Sequence, residues 1–333
     1  MSEYGIKADH GTGEAGGGLA FLAPRSRAGF TVTVPREFVH RAALAEVMPI
    51  GWERLAEERF VVRAQWPRSH SLFAPGPQGR YDATIVAETI RQSGLLLCHA
   101  ELGVPLDHHF LMHDLTFHIE PEQLRIGATP AMLEIEVTCV ETRQRSGRLS
   151  ALRYTTVLMR DGEFLASGTA SGTMVAPRVY QRMRADAQSR VGTPYPAVLP
   201  CAASPSEVGR TNAKDVVLAP TAEPNRWLLR VDTRHPVLFD HPVDHVPGMT
   251  LLEAARQAAV TAFGGAPLQI LGMACTFTRY AELAVPCEIE TCLLPRACAE
   301  TQDCVLVTGR QGDAQVFSAT VAVALCGLGG RLR

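Results

Sequence analysis

Two hydrophobic patterns run along the chain, and each occurs twice. Around Glu88 the chain is apolar on every side, through Ile85, Val86, Ala87, Ile90, Leu95, Leu96 and Leu97. Around Glu253 the same holds, through Met249, Leu251, Leu252, Ala254, Ala255, Ala258 and Val260. A surface helix keeps a polar face, so a helix that is apolar all round is expected to be buried. After each such stretch come short β-rich runs. In the first half they are Leu115 to Ile119, Met132 to Thr138, Ser150 to Arg160 and Glu163 to Met174, the last two joined by Asp161-Gly162, a strong hairpin signal. In the second half they are Glu288 to Leu294, Cys304 to Thr308 and Gln315 to Leu325, with a turn at Gln311-Gly312-Asp313. One long buried helix followed by antiparallel strands, twice over, predicts an α+β fold in which each sheet wraps its helix and the two copies form a pseudo-dimer.

The spacing of polar residues supports the duplication. His70 precedes the string Glu88-Thr89-Ile90-Arg91-Gln92 by eighteen residues, and His235 precedes Glu253-Ala254-Ala255-Arg256-Gln257 by the same eighteen. Between the copies, residues 181–224 hold Pro194, Pro196, Pro200, Pro205, Pro220 and Pro224 among Ser, Ala and Thr, and read as a linker. The modules are then expected at 29–180 and 225–330, in keeping with a chain of 333 residues. Residues 1–28 contain Gly11, Gly13, Gly16, Gly17 and Gly18 without a cationic start and apolar stretch, so they read as a disordered leader rather than a secretory signal.

Composition narrows the function classes. A formal charge of −2 with no dense Lys/Arg run lacks the electrostatic footprint of a nucleic-acid binder. No apolar stretch approaches the roughly 18 to 20 residues of a membrane-spanning helix. The nine cysteines lie between Cys98 and Cys326 without a C-x-x-C pair, which suits neither a disulfide framework nor a zinc site and reads as reduced thiols in the cytoplasm. His108, His109, His113 and His118 crowd one region, but their spacing fits no common metal motif. With no phosphate loop, Ser-centred elbow or G-x-G-x-x-G, no cofactor and no metal are expected.

The chemistry is expected on the two helices. Glu, Arg and Gln at i, i+3 and i+4 share one helix face, and an unpaired buried charge there is very costly, so these residues pair or face a cavity. A structural Glu–Arg pair is one reading. Recurrence favours a functional one, because apolar residues would serve packing at least as well as a buried ion pair. Thr250-Leu251-Leu252-Glu253 also fits a capping box, although Ile85 at the matching place before Glu88 cannot cap. His70 and His235 are secondary site candidates, with backbone bonding at a strand end as the alternative.

The stretch His241-Pro242-Val243-Asp244-His245-Val246-Pro247-Gly248-Met249-Thr250-Leu251-Leu252-Glu253-Ala254-Ala255-Arg256-Gln257 resembles the signature of the AfsA-type (A-factor biosynthesis) hotdog family. Phe38-Val39-His40-Arg41, Ala45-Glu46-Val47 and Trp66-Pro67-Arg68-Ser69-His70 resemble that family's N-terminal repeat. The resemblance implies a double hotdog, two fused modules each with an antiparallel sheet around a central helix. The same stretch is similar to the helix start of hotdog 3-hydroxyacyl thioester dehydratases, which carry a catalytic His fourteen residues before the helix Glu. Here Phe239 and Ala74 occupy those places, so dehydration is disfavoured unless His235 or His241 moves in.

What the resemblance implies is transfer of a β-ketoacyl group from acyl carrier protein to dihydroxyacetone phosphate, giving a precursor of a γ-butyrolactone-type signal. The expected roles are Glu88 or Glu253 as general base, Arg91 or Arg256 as phosphate ligand or glutamate partner, and backbone N–H groups at Gly248 as polariser of the thioester carbonyl. Gln92, Gln257, His70, His235 and Arg68 are expected to contact substrate. A furan-type signal from the same precursors, thioester hydrolysis, and non-catalytic acyl binding are the alternatives. Which half-site works and whether the chain forms a homodimer stay open.

Overall fold

The computed structural model describes residues 31–74, 79–189, 199–295 and 302–325. The expected leader at 1–28 lies outside the described residues, as does the stretch 190–198 of the expected linker.

Strict alternation makes the strands. Along β4 (Ala131–Arg145), Ala131, Leu133, Ile135, Val137 and Cys139 are buried while Met132 and Val140 are exposed. Such a period of two belongs to an antiparallel sheet with one face on the core and one in water. The core is the helix it wraps. Of α1 (Thr84–Ala100), Arg91, His99 and Ala100 alone are not buried, and in α3 (Gly248–Thr261) everything from Met249 to Val260 is buried. Close seating of α1 depends on glycine: a Cβ at Gly168 would lie 2.5 Å from Ile90 Cδ1 and 2.7 Å from the Thr116 carbonyl.

The remaining strands are β1 (Pro49–Arg54), β2 (Arg59–Trp66), β3 (His109–Ile119), β5 (Arg148–Arg160), β6 (Glu163–Val175), β7 (Leu218–Pro220), β8 (Arg226–Leu229), β9 (Leu268–Phe277), β10 (Glu288–Leu294), β11 (Asp303–Gln311) and β12 (Ala314–Leu325). They form one sheet in the order β1-β2-β4-β5-β6-β3-β9-β12-β11-β10-β8-β7. Read outward from the central β3–β9 pair, both halves have the same sequence of strands, with β1 matching β7, β2 matching β8 and so on to β6 matching β12. The pair joins antiparallel from Asp114 opposite Thr276 to His118 opposite Gly272. The Asp161-Gly162 hairpin forms as its sequence demands, with φ of 53° and 82° at the two turn residues.

The linker reading is corrected on both sides. Residues Pro177–Ser189 form helix α2 directly after β6, and residues 199–224 are part of the second module, with a 3-10 turn at Ala213–Asp215, then β7. Val208, Val216, Val217 and Leu218 in this stretch are buried. Proline-rich composition concealed a leading segment that repeats residues 34–54 of the first module.

Candidate active site

Each helix glutamate is held by the same five donors. Glu88 is fully buried and accepts from Arg41 Nε (3.0 Å) and Nη2 (2.6 Å), Arg91 Nε (2.8 Å) and Nη2 (2.7 Å), and Gln92 Nε2 (2.6 Å). Glu253 accepts from Arg210 Nε (2.7 Å) and Nη2, Arg256 Nε (3.0 Å) and Nη2 (3.0 Å), and Gln257 Nε2 (2.5 Å). Burial acts to raise both carboxyls, but the paired guanidiniums outweigh it and hold each at about 2. The capping box that Thr250 and Glu253 could have formed is absent. α3 begins at Gly248, and Thr250 Oγ1 is buried without a partner.

The glutamines and histidines brace the segments that deliver the arginines. Gln92 donates to the Glu46 carbonyl (2.7 Å) and accepts from Met48 N (3.0 Å); Gln257 donates to the Asp215 carbonyl (2.7 Å) and accepts from Val217 N (3.0 Å). His70 Nδ1 accepts from the N–H groups of Leu72 (3.2 Å) and Phe73 (3.1 Å), and its Nε2 lies 3.2 Å from Glu46. His235 repeats this with Val237, Leu238 and Asp215. With both ring nitrogens hydrogen-bonded, His70 and His235 brace their loops, in keeping with the backbone-bonding alternative. This bracing also answers the dehydratase comparison, because His235 is bound to Asp215 rather than swung toward Glu253.

Both clusters are built across the modules. Arg41 Nη1 donates to the Val237 carbonyl (3.1 Å) and Arg210 Nη1 to the Leu72 carbonyl (2.9 Å), each reaching into the loop of the other half. They differ in charge. Asp82 lies 3.2 Å from Arg210 and 3.6 Å from Arg256, so the second cluster has two carboxylates for two guanidiniums, and the Arg256 side chain is 6% exposed. In the first cluster Asp240 instead accepts from the N–H groups of Ala42 and Ala43 (2.6 and 3.0 Å). Glu88 is then the sole carboxylate in ion-pair contact with Arg41 or Arg91 among the described residues, and Arg91 is 19% exposed with Nη1 unpartnered there.

Two histidines join the first cluster that the helix spacing did not single out. His40 Nε2 lies 2.9 Å from His99 Nε2, and His99 Nδ1 lies 2.8 Å from the Val104 carbonyl. Phe110 meets both rings edge-on, at 5.2 Å from each. Burial first, then the charges of His99 and Arg91, push His40 down to about 3. Arg68 is not brought to either cluster; it donates to the Gly127 carbonyl at 3.0 Å. Gly248 opens α3 against the Phe277 ring. His108 pairs with Asp107 and His113 with Thr173, and no three His, Cys, Asp or Glu side chains converge as a metal set among the described residues.

Two helices, each wrapped by half of a continuous antiparallel sheet and each carrying the same buried carboxylate cluster, define a fused double-hotdog protein. A model of the A-factor biosynthesis hotdog domain matches residues 22–176 and 193–327. The chain belongs to that family. It is 50% identical over 291 residues to the 2-oxo-3-(phosphooxy)propyl 3-oxoalkanoate synthase of Streptomyces virginiae, covering 87% of this chain and 97% of that protein. Proteins of the same description from Streptomyces coelicolor and Streptomyces griseus are each 40% identical, covering 87% and 86% of this chain and 91% and 94% of their own lengths.

Proposed function

We propose that the protein transfers a 3-oxoacyl group from a thioester to the free hydroxyl of dihydroxyacetone phosphate, giving a 2-oxo-3-(phosphooxy)propyl ester and a free thiol. The ester is the precursor of a γ-butyrolactone-type signal, and acyl carrier protein is the expected carrier of the donor. The observation that carries this reading is the partly open Arg91 guanidinium of the first cluster, a cationic pole suited to the phosphate. The curated relatives are synthases whose names specify a product containing that phosphorylated three-carbon unit. No second chain is needed to complete the cluster, since both modules supply it.

Glu88 is then a positioning residue. With five donors on its two oxygens and no exposure to solvent, the Glu88 carboxylate is not free to take a substrate proton. It holds Arg41 and Arg91 in place. The test is mass spectrometry of the full chain with a 3-oxoacyl thioester and dihydroxyacetone phosphate, each also omitted in turn. The phosphorylated ester or its butenolide, formed only when both are present, is the expected result. Free acid alone identifies a thioesterase, a furan product a different ring closure, and unchanged substrates an acyl-binding protein.

A further inference from the structure

The hydrogen bonds around His99 fix the protons of the histidine pair. A carbonyl only accepts, so His99 Nδ1, 2.8 Å from the Val104 oxygen, carries its proton. Neutral His99 therefore presents a lone pair at Nε2, and His40 Nε2, 2.9 Å away, must be the donor. That leaves His40 Nδ1 as a free lone pair, and it has no partner among the described residues. It is an imidazole oriented from behind, the arrangement by which a base is held in one tautomer.

His40 stands between two residues that take part in the guanidinium cluster. Val39, immediately before His40, accepts from Arg91 Nη2 at 3.4 Å, and Arg41, immediately after, binds Glu88. His40 has a φ of 52°, the left-handed region that caps the 3-10 turn Arg36–Val39 and that a residue with a Cβ adopts at a cost. The second module supplies the control. Gly209, immediately before Arg210, occupies the matching position with a φ of 64° and no side chain. Eleven residues on from the helix glutamate, where the first module has His99, the second has Gly264. The duplicated scaffold thus carries an imidazole pair on one side and glycines on the other.

We propose that His40, through Nδ1, is the catalytic base of the acyl transfer, with His99 as its positioning residue, so that the chain works through the first-module site alone. The proposal rests on the acyl-transfer reading. His40 Nδ1 takes the proton of the acceptor hydroxyl as its oxygen bonds to the thioester carbonyl carbon. The tetrahedral adduct then collapses, the C–S bond breaks, and the imidazolium returns the proton to the departing sulfur. Burial above all, and then His99, Arg91, His241 and His109, which face it from α1, β3 and the loop entering α3, keep the resting His40 imidazole unprotonated. A phosphate seated on Arg91 offsets the positive charge nearest the pole and raises the affinity of His40 for the proton it must take.

The experiment is steady-state ester formation by the full-length His40→Gly variant, with and without added imidazole. Glycine suits the left-handed backbone at this position, so folding is retained, as a circular dichroism melt checks. The expected result is a kcat lower by about 100-fold or more, a KM for dihydroxyacetone phosphate within about threefold of wild type, and partial recovery by imidazole. A kcat within threefold of wild type overturns the proposal, as does a loss that imidazole restores in no degree. Wild-type protein that forms no ester at all overturns the acyl-transfer reading itself, and with it this one.

Discussion

Arg41 donates from Nη1 to the main-chain carbonyl of Val237, 196 positions further along the chain, at 3.1 Å. The same guanidinium closes on Glu88 with its other two nitrogens, so one side chain joins the first helix to the loop that enters the second. Arg210 makes the reciprocal connection to Leu72. Each module therefore completes the other's buried carboxylate site, and folding of the two halves is coupled through these arginines.

Replacing Arg41 by Met should weaken the whole fold. Glu88, fully buried, would keep Arg91 as its single cationic partner, and removing one member of a buried ion pair costs roughly 3–5 kcal/mol. Urea unfolding at pH 7 measures the loss. A midpoint equal to wild type would show that the clasp is not structural.

Acid should unfold the protein through its two helix glutamates. Both carboxyls stand at about 2, against 4.5 for the unperturbed group, because their arginines outweigh burial. A depressed carboxyl contributes stability above its unfolded pKa, and that stability is lost as pH falls from about 4.5 through 2. A tenfold difference in proton affinity between the folded and unfolded states is worth about 1.4 kcal/mol, so each glutamate contributes roughly 3 kcal/mol at neutral pH. In Glu253→Gln the gap to wild type should be wide at pH 7 and narrow by pH 3, read from denaturation at both. A gap that stays constant with pH would place the linkage elsewhere.

Arg91→Met and Arg256→Met should separate the two clusters. Arg91 is the partly open guanidinium, and its loss should raise the KM for dihydroxyacetone phosphate by about tenfold or more. Arg256 is sealed beside Asp82 and Glu253, and its loss should lower stability with little change in that KM. Equal KM effects in both variants would mean two working sites.

The duplication and the carboxylates were legible because each leaves a local mark. An all-apolar stretch interrupted by Glu, Arg and Gln is visible in any window, and β10 spans the expected Glu288–Leu294. The arginines that complete the clusters were not legible as such: Arg41 stood in a recognised segment without a role, and Arg210 left no mark. Arg41 and Arg210 reach Glu88 and Glu253 from separate segments, and nothing in the spacing around Arg210, amid prolines, distinguishes it from a linker residue. His40 stood in a recognised segment but acquired a role only when the fold brought His99 against it. Strands β1, β2, β7, β8 and β9 also escaped; the shortest, Leu218–Pro220, owes its state to the neighbouring β8 rather than to its own pattern.

Helix α2 is fastened by a second inter-module contact, and its release is the remaining test. Arg184, with its side chain 3% exposed, donates to Asp244 (3.0 Å) and to both oxygens of Glu282 (2.6 and 2.7 Å), and its guanidinium lies 4.4 Å from the Tyr280 ring centroid. Tyr180 adds a hydrogen bond to Asp244 (2.6 Å) and stacks on His109 at 3.7 Å. Asp244 belongs to the segment entering α3, so this helix links the end of the first module to the approach of the second core helix. Methionine at position 184 would leave two carboxylates without their cation and should cost about 1–3 kcal/mol, most of it local to α2. Lysine should restore only part, because an ammonium cannot span both carboxylates as the planar guanidinium does. Trypsin should then cleave at Arg178 and Arg182 faster in Arg184→Met than in wild type, with the lysine variant between them. Equal cleavage rates in all three would show that α2 is held by Tyr180 and its apolar contacts instead.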